Sequence, residues 1–112
     1  MQKLPISWES LCEEVKKRYS INPSEEVLLF LVGLHKMGFF PQGDEKTVKL
    51  NLIQLGGLVL LERAGYMREI GTDPEGWPLW ERAQSLPSWT PGEQQRFIRE
   101  ALIQYFTEIW EL

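Results

Sequence analysis

The chain has 112 residues, 43% of them hydrophobic, 25% charged and 12% aromatic, and carries a formal net charge of −4. That length supports one core, burying roughly two-thirds of the unfolded surface, and the apolar content excludes wholesale disorder. One cysteine and one histidine exclude an internal disulfide framework and a mixed zinc site of three or four ligands within one chain, and the acidic balance argues against a broad nucleic-acid or anionic-membrane surface.

From Met1 to Glu9 no apolar run precedes the charges, so no secretory signal is read. The longest apolar stretches, Val27 to Leu34 and Leu55 to Leu61, fall well short of the roughly 20 residues that span a bilayer. With the unpaired Cys12, these features predict a cytoplasmic protein that does not enter the membrane.

The first predicted helix covers about residues 8–19. Ser7 is its cap, and Trp8, Leu11, Cys12, Val15 and Tyr19 share an arc of about 100°, the width of a core-facing stripe. The second, about 23–37, opens on Asn22-Pro23-Ser24-Glu25, read as a capping box with proline at the first helical position, and stops at Gly38. Val27 to Leu34 leaves it no polar face, so it must be buried all round. Gly33 in its middle costs about 1 kcal/mol in helix propensity, which points to close approach of a neighbouring helix.

The third segment, about 45–64 with Gly65 as its stop, alternates like a strand over Thr47 to Leu52, yet its length and its Glu62-Arg63-Ala64-Gly65 ending favour a helix. As a helix it has two apolar faces. Val48, Leu52, Leu55 and Val59 form one, and Leu50, Ile53, Gly57, Leu60, Leu61 and Ala64 the other, with a bend expected at Gly56-Gly57.

Residues 65–90 break the helical pattern. Tyr66 to Ile70 is compatible with extended chain, Thr72 to Gly76 reads as a turn, and Trp77 to Gln84 is expected to be a short helix beginning at Pro78. The last helix, about 91–110, opens on a second capping box, Thr90-Pro91-Gly92-Glu93, and is expected to be mostly buried along Phe97, Ile98, Ala101, Leu102, Tyr105, Phe106, Ile109 and Trp110, with Arg99 interrupting the stripe. The predicted fold is therefore all-α: a single-domain bundle of four to five helices with an irregular Trp/Pro-rich segment between the third and last long helices.

Phosphate loops, dinucleotide fingerprints, EF-hand loops and nucleophile elbows are absent. The carboxylate pairs Glu9/Glu13, Glu25/Glu26 and Asp73/Glu75 read as a solvated helix face, first-turn charge and turn chemistry. His35 reads as a structural residue in the last turn of its helix, Cys12 as a small hydrophobe on its stripe, and Lys16-Lys17-Arg18 as a solvated face. No cofactor, metal site or catalytic residue is predicted.

The unusual feature is tryptophan. Of the five, Trp77, Trp80 and Trp89 crowd the least regular segment, which Pro78, Pro87 and Pro91 stiffen. Two readings stand side by side. The indoles fold back over the helices and enlarge a small core, or some stay partly exposed as rigid anchors for a partner.

The Asn22-Pro23 start of an apolar helix, the Gly65-Tyr66 stop and Asp73-x-x-Gly76-Trp77-Pro78-x-Trp80 together resemble small bacterial helical proteins with no assigned function, over about Trp8 to Tyr105. The resemblance implies no activity, cofactor or catalytic residue. It favours helix over strand for the third segment.

The leading functional expectation is a non-catalytic helical protein acting through protein contacts, including self-association as a homodimer, because its apolar helix faces exceed what one small bundle can cover. Its partner-binding residues would be Trp77, Pro78, Trp80 and Trp89. The second is a small-ligand binder or enzyme with an aromatic-lined pocket between helices, whose polar groups would include His35, Asp73 and Glu75. The third, a helix-turn-helix nucleic-acid binder, finds no recognition helix beside a basic surface.

Overall fold

In the computed structural model, which describes residues 7–110, the chain runs through α1 (Trp8–Tyr19), α2 (Glu25–Met37), α3 (Glu45–Arg63), β1 (Met67–Thr72), β2 (Pro78–Arg82) and α4 (Pro91–Trp110). The all-α expectation is thus corrected to a mixed fold of four helices and a two-stranded antiparallel sheet. The chain comprises two compact units. One comprises the described residues before Leu29 together with those from Trp89 onward, and the other Leu29–Ser88.

In the first unit, the Ser7 side chain accepts a hydrogen bond from the Ser10 amide and caps α1. Leu11 and Val15 are buried, whereas Tyr19, at the end of the same stripe, is exposed. The capping box of α4 forms in both directions: the Thr90 amide donates to Glu93 Oε1 (2.9 Å) and the Glu93 amide to Thr90 Oγ1 (3.1 Å). Helix α4 is less buried than expected. Only Leu102, Tyr105 and Phe106 are fully inside, and residues 91–96 are exposed.

The start of α2 lies two residues later than predicted. Ser24, not Asn22, is the cap, because its carbonyl accepts from Leu28 and its hydroxyl from the Val27 amide. Glu25 is left out of any capping box and pairs instead with Arg99.

In the second unit, α3 starts on Asp44, whose carboxylate accepts from both the amide and the hydroxyl of Thr47. It stays helical through the Thr47–Leu52 alternation and through Gly56-Gly57. Gly38 (φ 81°) stops α2 and Gly65 (φ 91°) stops α3. At the latter, Tyr66 donates back to Leu61 and closes a Schellman motif.

The face of α3 made by Val48, Leu52, Leu55 and Val59 is buried as expected, whereas its second face is covered unevenly, with Leu60 buried and Leu50 exposed. Helices α2 and α3 meet backbone to backbone. A Cβ at Gly33 would stand 2.8 Å from the Leu52 carbonyl carbon, and one at Gly56 2.8 Å from that of Leu29.

Between β1 and β2, Asp73-Pro74-Glu75-Gly76 forms the expected turn, with the Gly76 amide donating to the Asp73 carbonyl (3.0 Å) and Gly76 at φ 93°. A type I turn followed by a left-handed residue is a common three-residue hairpin loop. Asp73 Oδ1 accepts from the amides of both Glu75 and Trp77, at 2.9 Å each, and locks the turn.

This hairpin overturns the short helix expected from Pro78. The amide and carbonyl of Trp77 are both engaged with Asp73, so the chain leaves the turn extended and pairs Pro78 with Thr72, Trp80 with Glu69 and Arg82 with Met67. The register slips by one residue between Glu69 and Gly71, which makes a bulge at Ile70. Pro78 is tolerated because it opens a strand that has one partner only.

An isolated two-stranded hairpin is marginal in water, and this one is tied down within its unit. Lys36 pairs with Glu69 (2.7 Å), Gln84 donates to the Gly65 carbonyl (2.8 Å) and the Ala83 amide to the Tyr66 carbonyl (2.8 Å).

Candidate functional site

The alternation of β2 puts Pro78 and Trp80 on one side of the hairpin, partly buried, and Leu79 and Glu81 on the exposed side. The inner side borders α3 across an open cleft of about 340 Å3. Asp73, Glu75, Trp77, Pro78 and Trp80 line it from the hairpin, and Asn51, Gln54, Leu55 and Leu58 from α3. These α3 positions follow at i, i+3, i+4 and i+7, which is one helix face.

Five of the seven residues singled out from sequence therefore come together: Trp77, Pro78 and Trp80 as partner-binding residues, and Asp73 and Glu75 as polar groups. The other two do not join them. Trp89 lies in the first unit, stacked on Phe97 with ring centroids 4.7 Å apart. His35 lies on α2, outside the lining, and desolvation holds its pKa below the usual 6.5. Asn51, Gln54, Leu55 and Leu58 were missed because the sequence reading sorted α3 into two apolar faces. The polar pair Asn51 and Gln54, a turn apart on the strip between those faces, was the available signal.

The chemistry of the cleft is aromatic and acidic. Two indoles, two carboxylates and two primary amides converge, with no lysine or arginine in the lining. Among the described residues, no hydrogen bond, ion pair or ring contact engages the side chains of Trp77, Trp80, Glu75, Asn51 or Gln54. The Asp73 carboxylate uses Oδ1 to hold its turn.

The remaining tryptophans are engaged within the first unit. The Arg99 guanidinium lies 4.9 Å from the centre of the Trp8 ring and is bonded to Glu25 at 2.6 Å. The Arg18 guanidinium lies 4.4 Å from the centre of the Trp110 ring and is bonded to Glu14 at 3.1 Å. Because Trp8 meets Arg99 while Arg18 meets Trp110, α1 and α4 run in the same direction.

A groove of about 420 Å3 beside Trp8, Pro23, Ser24, Glu25, Glu26 and Arg99 is larger than the α3–hairpin cleft. Its indole, cation and Glu25 carboxylate already satisfy one another, whereas the indoles and the Glu75 carboxylate of the cleft have no such partner among the described residues. Cys12, half-buried on α1, is not poised for nucleophilic work: burial pushes its thiol pKa up, against the opposing pull of Arg99.

Among the described residues, no group of three or more ligating side chains is placed to hold a metal ion, and no helix is long and apolar enough to cross a membrane. No known family model matches this chain, and no curated protein or solved structure matches it.

Proposed function

We propose that this is a non-catalytic cytoplasmic protein that acts through protein contacts, and that the cleft between α3 and the hairpin is where a partner chain docks. The observation that carries this reading is the convergence of Trp77, Pro78 and Trp80, rigid residues with large contact area, on a cleft where the Glu75, Asn51 and Gln54 side chains have no partner among the described residues. At about 340 Å3 the cleft lies at the small end for ligand pockets, a size suited to one or two side chains of a docking segment. No hydroxyl, thiol or imidazole lines it.

The partner in this reading is a different protein. Leu28, Leu29, Leu31 and Val32 of α2 are buried within a single chain, while Phe39, Phe40, Leu50, Ile70 and Leu79 stay exposed outside the cleft lining.

Selection of a random-peptide display library on the folded protein tests the proposal, with counter-selection on Glu75→Arg. This variant changes an exposed turn residue and leaves the core untouched. The proposal expects enriched peptides that bind saturably and lose most of their affinity to Glu75→Arg and to Trp77→Ala. Enrichment of peptides indifferent to both variants, or none at all, would overturn it.

A further inference from the structure

The two arginine-indole-glutamate sets of the first unit give a chemical template for what is missing in the second. In each, one guanidinium lies against an indole face while a carboxylate takes its N–H: Trp8 with Arg99 and Glu25, and Trp110 with Arg18 and Glu14. The cleft of the second unit holds two indoles, Trp77 and Trp80, and two carboxylates, Asp73 and Glu75, but no cation. We infer that the partner supplies it: the cleft is a receptor for an arginine side chain presented by the docking protein, its guanidinium set against Trp77 and Trp80 and bonded to the carboxylates. This rests on the docking reading above and specifies the chemistry of the docked segment.

Three observations converge on arginine. The indole side chains of Trp77 and Trp80 have no ring or cation partner among the described residues, although every other tryptophan in the chain has one. The Glu75 carboxylate is likewise unpaired, and Asp73 Oδ1 alone is committed to the turn. Finally, the formal net charge of −4 attracts a basic partner.

Arginine fits better than lysine, because a planar guanidinium stacks on an indole face and bonds a carboxylate in a fixed fork, whereas an ammonium is a compact, strongly hydrated point charge. The Asn51 and Gln54 amides sit beside this position, ready to bond the main chain that carries the arginine.

NMR of the tryptophan indole N–H groups tests this directly, with N-acetyl-arginine amide as probe and its lysine and citrulline counterparts as controls. Citrulline keeps the shape of arginine and removes the charge. The expected result is a saturable shift of the Trp77 and Trp80 signals with arginine, at least about tenfold weaker with citrulline, reduced about five- to tenfold by Glu75→Gln and diminished by added salt. Equal response to citrulline, shifts confined to Trp8, Trp89 or Trp110, or no shift at all would overturn the arginine receptor.

The display selection separates this failure from that of the docking reading. Cleft-dependent peptides that lack arginine would leave docking standing and remove the arginine, whereas the absence of cleft-dependent peptides removes both. Cleft-dependent binding of this chain's own arginines, seen as self-association that the probe disperses, would also overturn the assignment to a separate partner.

Discussion

Gly33 of α2 and Leu52 of α3 touch through their backbones, and four residues along each helix, in opposite senses, Gly56 and Leu29 repeat the contact. The pairing is reciprocal: each helix contributes one glycine and one carbonyl, so the two cross antiparallel with a glycine hydrogen aimed at the carbonyl opposite. Such Cα–H···O contacts are weak singly. Their value here is that they let the flanking leucines interlock. Leu29, Val32, Leu52 and Leu55, at or beside these contacts, are all buried.

Alanine at Gly33 or Gly56 is expected to destabilise the protein by about 2 kcal/mol or more. A Cβ there meets rigid backbone, so the overpacking penalty exceeds the roughly 1 kcal/mol that alanine gains in helix propensity. Gly57, one residue along with nothing within 4 Å of its would-be Cβ, provides the control. Gly57→Ala is expected to stabilise by about 0.5–1 kcal/mol. Urea denaturation of the three variants checks both signs.

The arginine-indole pairs of the first unit are expected to be worth little singly and to be measurable as couplings. A double-mutant cycle on Trp8→Leu and Arg99→Gln should return a coupling of about 0.5–1 kcal/mol, as should the matching cycle on Trp110 and Arg18, since the charged groups are partly exposed. Zero coupling in both cycles would show that these stacks do not hold α1 beside α4.

Acid should weaken the helix starts. Asp44 and Glu93 are held below their usual pKa, first of all by the amides of Thr47 and Thr90 respectively. A carboxylate with a depressed folded pKa contributes stability above its unfolded pKa, and that contribution is lost as pH falls through the folded value. Denaturation midpoints for wild type and for Asp44→Asn with Glu93→Gln should therefore converge as pH drops below about 4, with wild type more stable at neutral pH.

His35 titrates in a separate window. Its folded pKa lies below 6.5 because desolvation disfavours the charged ring, so the unfolded chain takes up this proton first as pH falls. Stability is full above 6.5 and declines below it, until the folded ring also protonates. His35 is the chain's one histidine, so NMR titration of its ring should give a single midpoint below 6.5. His35→Gln should flatten the stability profile between about pH 7.5 and 5.5. A midpoint above 6.5 would reverse the sign and contradict the account.

The helices were legible because their signals are local. Ser7, Thr90 with Glu93, Gly38 and Gly65 each act within one turn of chain, and Gly33 marked a close helix neighbour before any partner was known. The hairpin was half legible. Asp73-Pro74-Glu75-Gly76 announces its turn, but Pro78 after a turn opens a helix as readily as a strand. What decides is the ladder to β1, a pairing across 6–15 residues of sequence that periodicity does not report. The cleft was legible as composition and not as place. The tryptophans and prolines were conspicuous, while the α3 wall against them, and the split that leaves Trp89 on Phe97 in the other unit, depend on the tertiary fold.

The most direct test of the docking cleft is fluorine NMR of the protein labelled with 5-fluorotryptophan, its resonances assigned by single Trp→Phe variants, during titration with a display-selected peptide. The account predicts that the Trp77 and Trp80 resonances move together and saturate, while those of Trp8, Trp89 and Trp110 hold still. Movement of the latter three alone, with Trp77 and Trp80 unchanged, would contradict it.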